Sequence, residues 1–351
     1  MSRKQVTLAD LAQKLGISTA TVSRALKDYP DISPATKKKV LALANEWNYR
    51  PNSIAAGLRK RESKIIGVII PSIVNHFFSS VIRGIMQVAY EADYRVMLCQ
   101  TDESFDKEVA DTNALYDSRV DGLLVSLAHE TQSYDHFQPF FDSEVPIVFF
   151  DKVPFTLDDV SRVVVDDYKG AFLAVEHLIK QGCKKIAHFR GPLSAYTSHN
   201  RFKGYQDAVK KHGLPTDESL IFDCDQINIE EGKDFARQLM KSHPDCDGIF
   251  TITDSVGIGA MTAIKEMGLK IPEDVSVVGF SDWEISSVIQ PSLTSVSQPS
   301  LQMGRQAASI LLEEIQAIKD EVKFAHKNVM LDTKLKIRES SRQVKKKQIV
   351  S

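Results

Sequence analysis

From residue 64 onward the chain keeps returning to short apolar runs separated by stretches of helical period: IIGVIIP (65–71), RVMLCQT (95–101), DGLLVS (121–126), PIVFFD (146–151), RVVVDD (162–167), KIAHFRG (185–191), GIFTITD (248–254) and DVSVVGF (274–280). No other feature restricts the fold as much. Runs that are β-branched and apolar on both faces suit parallel strands covered on both sides, and the intervening helices supply right-handed crossovers. The pattern predicts a doubly wound α/β architecture. Ligands in such sheets sit beyond the carboxyl ends of the strands, so the residues just past each run are the ones to inspect. They read Asn75-His76-Phe77-Phe78, Asp102, Ser126, Asp151-Lys152, Asp166-Asp167, Gly191-Pro192, Thr253-Asp254 and Ser281-Asp282.

With 351 residues, 43% of them apolar, the chain has enough core for a small domain plus a large or bilobed one. No stretch approaches the roughly 18 apolar residues of a membrane span. The opening MSRKQVTLADLAQKLG is amphipathic rather than a signal peptide's apolar run, so a cytoplasmic protein is expected. Cys99, Cys183, Cys224 and Cys246 form no CxxC pair and read as reduced packing residues, not as a disulfide framework or zinc site. The net charge of −2 hides a split: residues 1–64 hold 13 Lys and Arg against 5 Asp and Glu, a balance of +8, and the rest hold 31 against 41, or −10. Only the front end is suited to a polyanion.

That front end has a definite geometry. Thr7 is placed to cap a helix whose apolar positions are Leu8, Leu11, Ala12 and Leu15, and Gly16 supplies a tight turn. Ser18 is placed to cap a second helix with Val22, Ala25 and Leu26 inward, which leaves Thr19, Ala20, Ser23 and Arg24 facing out. Ser33-Pro34 opens a third, with Val40, Leu41, Ala44 and Trp47 completing a small core. Two short helices about a glycine turn, the second with a small polar outer face, are the helix-turn-helix that fits a major groove.

TLADLAQKLGISTATVSRAL followed by SPATKKKVLALANEWNYRPNSIAAGL resembles the DNA-binding headpiece of the LacI/GalR family of repressors over about the first sixty residues. The resemblance implies that Thr19, Ala20 and Arg24 meet base edges. The chemistry agrees, since an arginine can bridge O6 and N7 of guanine and a short side chain can touch a thymine methyl. Thr7, Ser18, Thr21, Ser23 and Asn52 are better suited to phosphates, which fix register without reading sequence. PNSIAAGL (51–58) matches the family's hinge. Too short for a stable isolated helix and weakened by Gly57, it is expected to order only on DNA. Leu58 aligns with the leucine that wedges into the minor groove, the alternative being a linker leucine packed on the next domain. Ala56-Gly57 stands where many members carry a longer polar or basic residue.

The resemblance continues through IVNHFFSSVIRGI, GAFLAVEHLIKQG, NRFKGYQDAV, TDSVGIGAMTAIKEMGLKIPEDVSVVGF and PSLTSVSQP, which look like the family's effector domain. It implies a small all-α helix-turn-helix headpiece (1–50), a hinge helix and linker (51–63), and a ligand-binding and dimerisation domain (64–340), ahead of a basic tail (341–351). The large domain would be an α/β bilobed unit of the type I periplasmic-binding-protein kind, two Rossmann-like lobes joined by three crossings. The expected lobes are 64–162 with 291–325, and 163–290 with 326–340. Carried over by position, Phe77 and Phe78 would wall the cleft, Asp151 and Arg201 would bond ligand hydroxyls or a carboxylate, and Thr253 would lie at its far lip. A guanidinium can span vicinal oxygens, although Arg201 could instead form a salt bridge at a helix start. Ser281 stands where many sugar-responsive members carry aspartate. Asp282 could reach the cleft or cap the next segment.

Other chemistry finds little support. Gly257-Ile258-Gly259 falls in a predicted helix, and no GxxxxGK[ST], HExxH or GxSxG motif occurs, so an enzyme, a cofactor and a metal are not expected. KIRESSRQVKKKQIVS carries no leucine heptad, which favours a dimer. The expected function is a repressor, a homodimer on a near-palindromic operator whose affinity is modulated by a sugar, sugar derivative or other small metabolite. The rivals are a sugar receptor without DNA and an enzyme on the same scaffold.

Overall fold

The computed structural model describes residues 6–49 and 62–341. The chain divides into two compact units, residues 1–63 and 64–351. In the first, α1 (Leu8–Leu15), α2 (Thr19–Leu26) and α3 (Pro34–Glu46) surround buried Leu11, Ala12, Val22, Ala25, Val40, Leu43 and Ala44. Each helix has a side-chain cap. Thr7 accepts from the Asp10 amide while the Asp10 carboxylate accepts from Thr7 N, a capping box; Ser18 accepts from Thr21 N and Ser33 from Thr36 N. Gly16 ends α1 at φ +63°, a left-handed C-cap that favours glycine. On α3 the expectation needs correcting. Leu41 is exposed and Leu43 fills the core, because the inward stripe runs Val40-Leu43-Ala44-Trp47.

The second unit holds two six-stranded sheets. The first comprises β1 (Ile65–Ile70), β2 (Arg95–Gln100), β3 (Gly122–Val125), β4 (Ile147–Phe150), β5 (Ser161–Val165) and β11 (Asn328–Leu331), in the order β11-β5-β4-β3-β1-β2, all parallel. The second comprises β6 (Ile186–Arg190), β7 (Ile221–Asp223), β8 (Gly248–Thr251), β9 (Ser276–Ser281), β10 (Thr294–Ser297) and β12 (Lys334–Lys336). Its order is β12-β10-β9-β8-β6-β7, with only β12 antiparallel. Each sheet reverses its strand order at its first strand, β1 or β6, which places a crevice beyond the strand ends there.

Strand alternation explains why these runs are apolar throughout. Ile66, Val68 and Ile70 pack with Val81, Ile85, Met303, Ala307 and Leu311 on one face, while Ile69 joins Leu123, Phe137 and Phe149 on the other. The covering helices are α4 (His76–Glu91), α5 (Phe105–Asp117), α6 (Gln138–Asp142) and α11 (Ser300–Lys319) on the first sheet. α7 (Asp167–Lys180), α8 (Tyr196–Lys211), α9 (Ile229–Ser242) and α10 (Asp254–Glu266) cover the second. Gly259 belongs to helix packing: a Cβ there would meet Ile229 O of α9 at 2.0 Å.

The chain crosses between the lobes at 166, 298–299 and 332–333, between β5 and α7, β10 and α11, and β11 and β12. The expected lobe limits therefore move. All of β5 through Val165 belongs to the first sheet, β10 to the second, and β11 returns to the first. A crossing has to wait for the end of a strand, since leaving earlier would orphan ladder amides.

Candidate functional site

On α2 the outward residues are those expected. Thr19, Ala20 and Arg24 are exposed, Ser23 and Thr21 are half-buried, and Val22 and Ala25 lie beneath them in the core. Ser18 shares a 2.8 Å hydroxyl contact with Thr21 as well as capping the helix, and Thr7 donates to the Asp10 carboxylate at 2.7 Å. Arg24 has company that sequence reading missed: its Nη2 lies 2.5 Å from Asp31 Oδ2, and its guanidinium stands 5.5 Å from the Tyr29 ring centre. Asn52, Ala56-Gly57 and Leu58, with the rest of the hinge, lie outside the described residues.

In the large unit the strand ends converge at the crossings. Asp151 follows β4 with φ +58°, is 6% exposed, and its carboxylate has no hydrogen-bond partner among the described residues. Burial pushes its pKa up to about 7, against the pull of the Lys152 and Arg201 cations. Arg201 does not sit at the start of α8 but in its second turn. Its Nε donates to Asp167 Oδ1 (2.7 Å), its Nη1 donates to Ile252 O (2.8 Å), and the guanidinium lies 3.8 Å from the Phe280 ring centre. The pair is buried, 5% exposed at Arg201 and 2% at Asp167. Burial raises the Asp167 pKa while Arg201 opposes the shift.

Several buried polar atoms at these strand ends have no partner among the described residues: Thr101 Oγ1 after β2, Ser126 Oγ after β3, Asp167 Oδ2, and Gln298 Nε2 at the second crossing. Ser126 and Asp167 stood among the strand-end residues of the sequence. Thr101 closes an apolar run and Gln298 lies in a loop, so no periodic signal marked either one. By contrast Lys152 pairs with Glu103, Arg190 with Asp223 (2.5 Å) and Arg338 with Asp282 (2.5 Å).

Other expected positions are more committed than the sequence suggested. Phe77 and Phe78 lie edge to face at 5.2 Å within the first lobe's packed core, so they offer a cleft little surface. Thr253 Oγ1 is 2.8 Å from Ser255 Oγ. Ser281 has φ +115°, a strained value for a residue with a Cβ. Asp282 does not cap the next segment: its carboxylate is held by Arg338, and it is Asp254 that fixes that segment, accepting from Trp283 N (2.7 Å), Ser286 Oγ (2.6 Å) and Ser295 Oγ (2.5 Å). His188 is stacked among Phe202, Tyr205 and Phe250, and burial drives its pKa down to about 3, a structural neutral imidazole.

Among known proteins, residues 7–52 match the family model described as bacterial regulatory proteins, lacI family, and residues 63–341 match that of periplasmic binding proteins and sugar binding domain of LacI family. The ribose operon repressor of Halalkalibacterium halodurans is 34% identical over 310 residues, covering 88% of this chain and 90% of the relative. A lac repressor dimer bound to operator and the anti-inducer ONPF superposes with a TM-score of 0.82 at 28% identity, covering 97% of this chain and all of that one. A CelR–cellobiose complex gives 0.73 at 27% identity, covering 96% of this chain and all of that one. No described helix is long and apolar enough to cross a membrane. With both of its units matched, the chain belongs to the LacI family of bacterial transcription regulators.

Proposed function

We propose that this chain is a dimeric regulator in which Thr19, Ala20 and Arg24 read operator bases, Thr7, Ser18, Thr21 and Ser23 take phosphates, and the interlobe cleft takes an uncharged polyhydroxylated metabolite. The contrast in the cleft carries the effector assignment. Lys152, Arg190, Arg201 and Arg338 each already hold a carboxylate, whereas Asp167 Oδ2, Thr101 Oγ1, Ser126 Oγ and Gln298 Nε2 have no partner among the described residues. A carboxylate or phosphate would need a cation taken from one of those pairs, and a buried charge left alone is costly. Sugar hydroxyls donate and accept, and so fit acceptors and neutral groups directly. The relatives are in keeping with this: one is named for a ribose operon and another holds cellobiose.

A ligand bridging the lobes shifts the dimer between states only as far as its preference for one of them allows. A regulator acting on chromosomal DNA works in the cytoplasm, and its relatives are regulators rather than enzymes. The test is calorimetry with a panel of neutral pentoses, hexoses and disaccharides beside matched sugar phosphates and uronic acids, followed by operator binding with any ligand found. Heat from neutral sugars alone, weakened in Ser126→Ala and Thr101→Val, is expected. Binding confined to the anionic panel would overturn the effector assignment.

A further inference from the structure

We infer that Asp31 is a specificity-determining positioning residue, which holds Arg24 in the pose that reads a guanine and keeps it off the phosphate backbone. The inference rests on Arg24 as a base reader and names what controls that reading. The turn between α2 and α3 is closed tightly: Asp28 N donates to Ala25 O (3.2 Å), Tyr29 N to Arg24 O (3.1 Å) and Ile32 N to Tyr29 O (3.3 Å). The same turn sets the Tyr29 ring 5.5 Å from the guanidinium and brings Asp31 within 2.5 Å of its Nη2. Its other acid is occupied, since Asp28 takes Lys37 of α3 at 2.7 Å. Asp31 therefore serves Arg24: it engages one side of Nη2, and among the described residues Nε, Nη1 and the second Nη2 hydrogen remain for a partner outside the fold.

An unanchored arginine at the end of a short helix has many rotamers, and most that meet DNA meet a phosphate, a contact without sequence information. Pairing with Asp31 biases Arg24 toward the rotamers that lie against the turn, and leaves one bidentate edge of the planar fork, Nη1–Nη2 or Nε–Nη2, to face the O6 and N7 acceptors of guanine. The pair is exposed, with 51% and 44% of the two side chains accessible, so its own attraction is too weak to keep the arginine from a base. The carboxylate also repels phosphate at that spot, which penalises the pose that does not read sequence.

The experiment uses the full chain. Selection from a randomised duplex pool defines a preferred site, and the guanine pair whose replacement wild type resists but Arg24→Ala tolerates is assigned to Arg24. Wild type, Asp31→Asn, Asp31→Glu, Arg24→Ala and the Arg24→Ala/Asp31→Asn double variant are then titrated at matched salt with the preferred duplex, its guanine-substituted version and a scrambled duplex. Asp31→Asn is expected to bind scrambled DNA more tightly and to lose guanine preference by roughly 3–10-fold, a part of what a bidentate contact supplies. Asp31→Glu should restore part of that preference, and the double variant should match Arg24→Ala. If Asp31→Asn keeps the full preference while Arg24→Ala loses it, or if its loss persists without Arg24, the positioning role is wrong. If Arg24→Ala changes no base preference, the reading of Arg24 itself fails and Asp31's role falls with it.

Discussion

The two sites of this protein hold their polar side chains in opposite ways. On α2, Thr19, Ala20 and Arg24 are exposed, and among the described residues the polar side chains there are engaged in the Ser18 cap, the Ser18–Thr21 contact and the Arg24–Asp31 pair. In the cleft, Arg201 and Asp167 are buried and bound to each other, and Asp254 fixes three neighbours at once. A surface site can change its outward side chains without changing its fold. At the Arg201–Asp167 pair a single substitution acts on the fold as well, because it leaves the other charge buried without its partner.

Removing Asp167 gives the sharpest test of that contrast. Asp167→Ala would leave the Arg201 guanidinium buried without its carboxylate, at a cost of about 3–5 kcal/mol in unfolding free energy. Denaturant titration of the full chain checks it, and the transition of the large unit should move while a headpiece substitution leaves that transition in place. A loss below about 1 kcal/mol would put the pair in the weak class of surface bridges, contrary to its burial.

Asp151 sharpens the comparison through pH. Its pKa rises from near 4 to about 7 on folding, so between those values the folded chain keeps a proton that the unfolded chain has released. This group's contribution to stability is therefore fully present below pH 4, declines as pH rises to about 7, and is flat above. Asp151→Asn should abolish the decline, making the variant more stable than wild type at pH 8 by an amount of the order of 2–4 kcal/mol, while the two converge near pH 4. Parallel pH curves for the two proteins would place this carboxylate in water.

The same contrast governs what the sequence made legible. Helical period separates Val22 and Ala25 from Thr19, Ala20 and Arg24 because one turn sets both the inward and the outward face. The apolar runs marked the central strands for a similar reason. Four strands carry no continuous apolar run: β7 (IFD), β11 (NVML) and β12 (KLK) are short strands at sheet edges, and β10 (TSVS) is buried but polar. The cleft depends on pairings across long stretches of chain, Asp167 with Arg201 and Asp282 with Arg338, and no local period encodes a partner 34 or 56 residues away. Arg201 was visible as a candidate, but its commitment to Asp167 was not. Asp31 was missed although close in sequence, since a turn residue's direction is set by the backbone of the turn.

In the headpiece, Arg24→Ala is expected to cost about 1–3 kcal/mol of discrimination at one base pair, with the unfolding midpoint unchanged within error. Competition binding of substituted duplexes at fixed salt checks the first part and thermal melting the second. A drop in affinity equal for all duplexes would instead assign Arg24 to a phosphate.

The smallest effect separates structure from reading within the headpiece itself. Ser18 caps α2 through Thr21 N at 3.0 Å and also stands where a phosphate contact is proposed. Ser18→Ala should cost about 1 kcal/mol of helix stability and lower affinity for every duplex alike, because neither a cap nor a phosphate contact carries sequence information. Ser18→Asp separates the two roles: it retains the cap and adds favourable charge at a helix N-terminus, yet repels phosphate. Wild-type melting with weakened binding to all duplexes is the expected result. If Ser18→Asp binds like wild type, Ser18 caps the helix without touching the backbone of the operator.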